Sequence, residues 1–201
     1  MKVFVRKQPV RLFLKWVQRA LFAAAILMLS YAGFVVVDTW IFQKQEDAAL
    51  ARFIPERPAD GVPEVAAAGP DGLIGRLAIP GLELSVMVLE GTSHKTLRRA
   101  AGHIAGTAFP GQGGNVGIAG HRDTFFRPLR KIRPDDLITL TTLRSEYRYR
   151  VVFTKVVSPD NVAMLSSGGS ESLTLVTCYP FYFLGPAPDR FIVRATRVTA
   201  S

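Results

Sequence analysis

One cysteine, Cys178, is the whole thiol inventory of these 201 residues, so no internal disulfide framework holds the fold. Histidine is nearly as scarce, with three. Neither a Cys-x-x-Cys pair nor a His-Glu-x-x-His run occurs, which argues against a structural zinc module and a catalytic metal alike. The chain carries no internal repeat and no low-complexity tract. Charged residues make up 20% against 48% hydrophobic ones, a balance that excludes a wholly disordered polymer. The first 20 residues contain no acid at all. They hold six of the 25 Lys and Arg residues, leaving 19 basic against 16 acidic residues elsewhere. Most of the +9 net charge therefore sits on an N-terminal tag, and the chain offers no basic face for nucleic acid.

What is present begins with an apolar run, Leu21–Val37, seventeen residues without a charge and at the short end of what spans a bilayer. Trp16 and Trp40 bracket it where interfacial aromatics lie, and Trp40-Ile-Phe42 lengthens it beyond Asp38. The basic flank predicts a single-pass plasma-membrane protein with its N-terminus in the cytoplasm and everything after Asp38 outside. A cleaved signal peptide is the competing reading. The length of the run and the lack of a small-x-small cleavage site disfavour it. The organisation expected is a cytoplasmic segment 1–20, a signal-anchor 21–42, a linker 43–72 and a folded domain 73–201. Residues 43–52 can prolong the helix. Pro55, Pro58, Gly61, Pro63, Gly69, Pro70 and Gly72 then mark a semi-extended linker that holds the domain off the membrane, with a lid over a site as the sharper alternative.

From Leu73 onward, short runs rich in β-branched and aromatic residues alternate with Gly and Pro. Strands are predicted at Leu73–Ile79, Leu82–Leu89, Val116–Ala119, Leu137–Thr142, Tyr147–Val157, Ser172–Thr177 and Phe191–Val198. A short helix is expected at Ser93–Ala101 with Ser93 as N-cap, and a further turn at Asp123–Lys131. So many short strands in about 130 residues read as an all-β, closed or nearly closed barrel with short helices.

Cys178 ends the run Leu173-Thr-Leu-Val-Thr-Cys, where Pro180 stops the strand. A buried, inert thiol is the ordinary fate of a lone cysteine, but strand ends feeding loops are where reactive groups are displayed. Alternation puts Leu173 and Leu175 on one face and Thr174, Val176 and Cys178 on the other. On the next strand Arg190, Ile192 and Arg194 share the face opposite Phe191, Val193 and Ala195. A hairpin would make Cys178 and Arg190 neighbours. A thiol nucleophile needs a proton-transfer partner. Of the histidines, His94 reads as a solvated helix residue and His103 as a loop or packing residue. His121 ends a strand of small residues, Asn115-Val-Gly-Ile-Ala-Gly, that lets other groups approach closely. A fixed charge at Arg190 suits an oxyanion or a substrate carbonyl.

Thr174–Cys178 (Thr-Leu-Val-Thr-Cys), the upstream Ala119-Gly-His-Arg-Asp123 and the downstream Arg190-Phe-Ile-Val resemble the sortase family, nearest its class D group, over residues 73–199. The resemblance implies an eight-stranded barrel and a transpeptidase with Cys178 as nucleophile, His121 as general acid/base and Arg190 as stabiliser. Thr177 and Ile192 become candidate substrate contacts. Its substrates would be secreted proteins ending in a Leu-Pro-x-Thr-Gly-like sorting signal. An amine acceptor such as a cell-wall peptide would receive the product, water giving hydrolysis instead. No cofactor and no metal are expected. Some members bind calcium through loop acids, a role to which Glu146 and Asp160 could contribute in this chain. The linker lacks an Asp-Pro-aromatic lid triplet and Phe191–Ser201 is too short to span a membrane, which favours protein anchoring over pilus polymerisation. A non-catalytic β-module on the same anchor is the rival. An L,D-transpeptidase is set aside because its Ser-His-Gly-Cys-x-Arg motif is missing. Arg122, Arg127, Arg130, Lys131 and Arg133 read as a solvated basic turn, and Gly111–Gly117 as a turn without the Lys-Ser/Thr of a phosphate loop.

Overall fold

The computed structural model describes residues 8–53, 68–69, 72–166, 169–183 and 185–198, and divides into two units, Met1–Ile41 and Phe42–Ser201. Lys2, Arg6 and Lys7 of the basic tag, and the expected linker from 54 to 67 with 70 and 71, lie outside the described residues.

Helix α1 runs Gln8–Phe53, so residues 43–52 do continue the helix begun by the apolar run. Its stretch Phe13–Gln45 is long and apolar enough to cross a membrane. Phe22, Leu27, Met28, Leu29 and Phe34 are all exposed. An apolar, unbroken helix that bonds its own backbone is a form a lipid-exposed span can take.

Eight strands form the second unit: β1 (Leu73–Ile79), β2 (Leu84–Glu90), β3 (Ala101–His103), β4 (Asn115–Ala119), β5 (Leu137–Thr142), β6 (Glu146–Val157), β7 (Ser172–Tyr179) and β8 (Asp189–Arg197). They close into a barrel in the order β1-β2-β3-β4-β7-β8-β6-β5. The β2–β3 and β4–β7 pairs are parallel and the other pairs antiparallel. Alternation drives the assembly. In β6, Tyr147, Tyr149 and Val151 turn inward and Glu146, Arg148 and Arg150 outward, the pattern of a half-buried strand. Leu77, Ile118, Leu140, Leu173, Leu175, Val193 and the Phe126 ring fill the interior.

Sequence reasoning missed β3. Ala-Gly-His has no β-branched residue, and the strand exists because β2 and β4 flank it. Helix α2 (His94–Arg99) is capped by the Ser93 hydroxyl, which accepts the Thr96 N–H at 3.1 Å. The expected turn after His121 becomes a 3-10 helix at Arg127–Lys131.

Candidate active site

Strand order brings the C-terminal ends of β4 and β7 to the same rim. The parallel ladder runs from Asn115↔Ser172 to Ala119↔Val176. It is carried one step further by the Gly120 N–H donating to the Val176 carbonyl at 3.1 Å and the Thr177 hydroxyl donating to the Gly120 carbonyl at 2.7 Å. His121 therefore leaves its strand at the level where β7 presents Cys178. Gly120 has a steric reason to be glycine, since a Cβ there would sit 2.7 Å from the Phe126 ring. That ring folds back into the core, and the Phe126 N–H bonds the His121 carbonyl at 3.1 Å.

On the other side of β7, Cys178 stands directly opposite Arg190 in the β7–β8 ladder. Three successive pairs share the outer face: Thr174↔Arg194, Val176↔Ile192 and Cys178↔Arg190. The far end of this row is fastened. Arg194 donates to the Thr174 hydroxyl at 2.8 Å and to the Met164 carbonyl at 3.1 Å, tying the 3-10 helix Val162–Leu165 to the face. Burial depresses the Arg194 guanidinium below its ordinary pKa. The near end carries the thiol, and Cys178 is only partly buried.

Arg190 donates from Nη1 to the Asp189 carbonyl at 3.0 Å and the Ala187 carbonyl at 3.3 Å, so its orientation is set by the loop it borders. Within the described residues no hydrogen bond joins Cys178 to His121. Ile192 is buried on the thiol's face beside Val176. Thr177 faces the interior, 2% exposed, with its hydroxyl committed to Gly120.

His94 is exposed, and His103 is buried against Glu90, Thr107, Ala108 and the Phe109 ring. Among the described residues no three His, Cys, Asp or Glu side chains gather as a metal would require. The Glu146 carboxylate accepts from Arg148 Nε at 2.8 Å, and Asp160 is exposed. One expectation needs correction. Arg122, read as part of a solvated turn, is 6% exposed and reaches the β7–β8 loop. Its partners are backbone carbonyls some sixty residues away, which leave no mark in side-chain chemistry.

A thiol at a strand end, an arginine across the ladder and a histidine leaving the neighbouring strand are groups that acyl transfer through a cysteine can use. Comparison with known proteins agrees with that class. The chain belongs to the sortase family, whose Sortase domain model matches residues 77–198. It is 31% identical to Sortase D of Bacillus subtilis (strain 168) over 188 residues, 88% of this chain and 95% of that one. Among solved structures it resembles a Clostridium perfringens Sortase D5 transpeptidase, with TM-score 0.58 and 30% identity over 63% of this chain and 79% of that one. A Clostridium perfringens sortase C, solved with the C-terminal cell wall sorting motif, superimposes with TM-score 0.60 and 28% identity over 66% and 74% of the two chains. Membership supports a transpeptidase that anchors proteins to the cell wall.

Proposed function

We propose that the protein is a membrane-anchored sortase that cleaves a Leu-Pro-x-Thr-Gly-like signal and passes the cleaved protein to an amine of the cell envelope. The Cys178 thiol passes its proton to His121 as its sulfur attacks the Thr carbonyl carbon of the signal, and Arg190 stabilises the oxyanion that forms. As the C–N bond breaks, His121 gives a proton to the departing Gly amine. The product is a thioester on Cys178. An acceptor amine then attacks that carbonyl, losing a proton to His121 as the sulfur leaves. Water in its place gives hydrolysis. Val176, with the buried Ile192 beside it, forms the floor along which the signal lies, and Thr177 holds Gly120 and hence His121 from beneath. Residues 21–42 anchor the chain with 1–20 in the cytoplasm, and 73–201 act outside, beyond the 43–72 linker.

The observation that carries this reading is the Cys178↔Arg190 ladder pair beside the β4 end that leads to His121. The test is a cleavage and transfer assay on the full-length chain in detergent. It uses a Leu-Pro-x-Thr-Gly peptide panel, with triglycine and diaminopimelate peptides as acceptors. Release of the Gly-terminated fragment with transfer to an amine is expected, and both are lost in Cys178→Ala. No cleavage across the panel, or cleavage that survives Cys178→Ala, overturns the reading.

A further inference from the structure

Arg122 is the immediate chain neighbour of His121, yet its side chain spends itself on a different part of the chain. Nη1 donates to the Pro180 carbonyl at 2.9 Å, while Nη2 donates to the Phe183 carbonyl at 2.6 Å and the Gly185 carbonyl at 3.1 Å. Nε reaches the Asp123 carboxylate at 3.3 Å. All three nitrogens of the planar fork are used. The acceptors belong to the loop between the end of β7 and the start of β8, which begins two residues after Cys178 and ends at Asp189 and Arg190.

That loop is poorly equipped to hold itself. Pro180, Pro186 and Pro188 carry no N–H, and among its described residues the internal backbone bond is a long one, from the Phe183 N–H to the Pro180 carbonyl at 3.3 Å. Its carbonyls would need water or another donor, and a buried guanidinium supplies several bonds from one point. Burying a charge costs several kcal/mol unless the surroundings repay it. The Asp123 carboxylate is mostly exposed and contributes little. The loop carbonyls are therefore the main stabilising partners of this charge.

The same loop orients Arg190, whose Nη1 donates to the Ala187 carbonyl. A continuous path thus runs from the residue after His121, through the loop that follows Cys178, to the guanidinium opposite the thiol. Outside, Arg130 packs over the Tyr182 ring at 5.5 Å, adding a second hold on the loop from the same segment.

We propose that Arg122 is a positioning residue for the transfer reaction, clamping the β7–β8 loop so that His121, Cys178 and Arg190 keep one working geometry. This rests on the reading of those three as the reacting groups. The clamp depends on the fork rather than on the charge. Lysine, with one nitrogen, cannot reach three carbonyls in the same plane.

The experiment compares full-length wild type, Arg122→Lys and Arg122→Gln in detergent by three readouts. These are kcat and KM for the sorting peptide, alkylation of Cys178 by iodoacetamide, and amide hydrogen exchange. Both variants are expected to lose about 10- to 100-fold in kcat, the scale of a small misplacement of reacting groups. Alkylation, which needs only the thiol, should stay within about threefold. Exchange should accelerate in 179–189 while the β1–β5 ladder stays protected. Wild-type kcat with wild-type loop exchange in Arg122→Lys overturns the clamp. Exchange that accelerates across the whole barrel, with alkylation and cleavage altered together, overturns it too, since that marks general support of the fold. If wild type itself cleaves no peptide, the activity reading fails, and loop exchange alone decides whether Arg122 is a clamp.

Discussion

The two ends of the barrel employ arginine in opposite ways. At the end where β6 and β7 begin, Arg197 lies 3.7 Å from the Glu171 carboxylate and over the rings of Tyr147 and Tyr149, at 4.8 and 5.7 Å. Glu171 also accepts from the Tyr149 hydroxyl at 3.0 Å and the Gly111 N–H at 3.3 Å. Charge there is matched by countercharge. At the other end Arg122 and Arg190 donate to main-chain carbonyls, and among the described residues the only carboxylate touching either guanidinium is that of largely exposed Asp123. Positive charge at this rim is held in place with little countercharge, which suits the oxyanion-stabilising role proposed for Arg190. One end pairs charge with countercharge, and the other holds its guanidinium groups on main-chain carbonyls.

Substitutions at the two ends should therefore fall on different measurements. The largest effect is expected for His121→Ala, with kcat reduced about 10³- to 10⁴-fold, near the upper range for general acid–base removal. Its melting temperature should stay near wild type, because the ring makes no described hydrogen bond. Arg190→Ala should cost about 10²- to 10³-fold in kcat/KM, the scale of a lost oxyanion donor, and steady-state peptide cleavage reads both. Either variant unfolding instead would erase the contrast between the ends.

At the opposite end Glu171→Ala leaves the Tyr149 hydroxyl, the Gly111 N–H and Arg197 without their shared acceptor. Denaturant titration should show a loss of about 2–4 kcal/mol, with kcat/KM of the remaining folded protein within about threefold of wild type. Gly120→Ala sharpens the boundary between the two behaviours. Its Cβ would press on Phe126, so a cost of about 1–3 kcal/mol in stability should be joined by a fall in activity as His121 shifts.

The smallest effect concerns pH. Burial, reinforced by the Glu171 carboxylate, pushes the Tyr149 phenol well above its ordinary value of 10.0. The unfolded chain then loses this proton first as pH rises. The stability contributed by the neutral buried phenol is complete below about pH 10 and declines above it, at up to about 1.4 kcal/mol per pH unit. Tyr149→Phe should flatten that part of the stability–pH curve relative to wild type in urea titrations between pH 9 and 11.

Much of the molecule could be read from residue order because the information was local. Alternation in Tyr147–Val151 and Leu173–Cys178 defines inward and outward faces without knowledge of the partner strands. The same parity set Cys178 and Arg190 on one face, and the ladder pairs them. What escaped was non-local. β3 has three residues and owes its extended form to its neighbours. Arg122 looked like its solvated companions because its acceptors are main-chain oxygens, and every residue type carries one of those. The inward turn of Thr177 was available from its parity with Leu173 and Leu175, but its bond to Gly120 needed the β4–β7 pairing.

The central claim is that Cys178 carries the acyl group during transfer. Full-length protein mixed with a sorting peptide and quenched in acid should gain the mass of the peptide's N-terminal portion. Fragment mapping should place that mass on Cys178, and neutral hydroxylamine should remove it as expected for a thioester. Rapid release of the cleaved peptide with no adduct on Cys178 at any quench time, or an adduct mapped to another residue, would contradict the account.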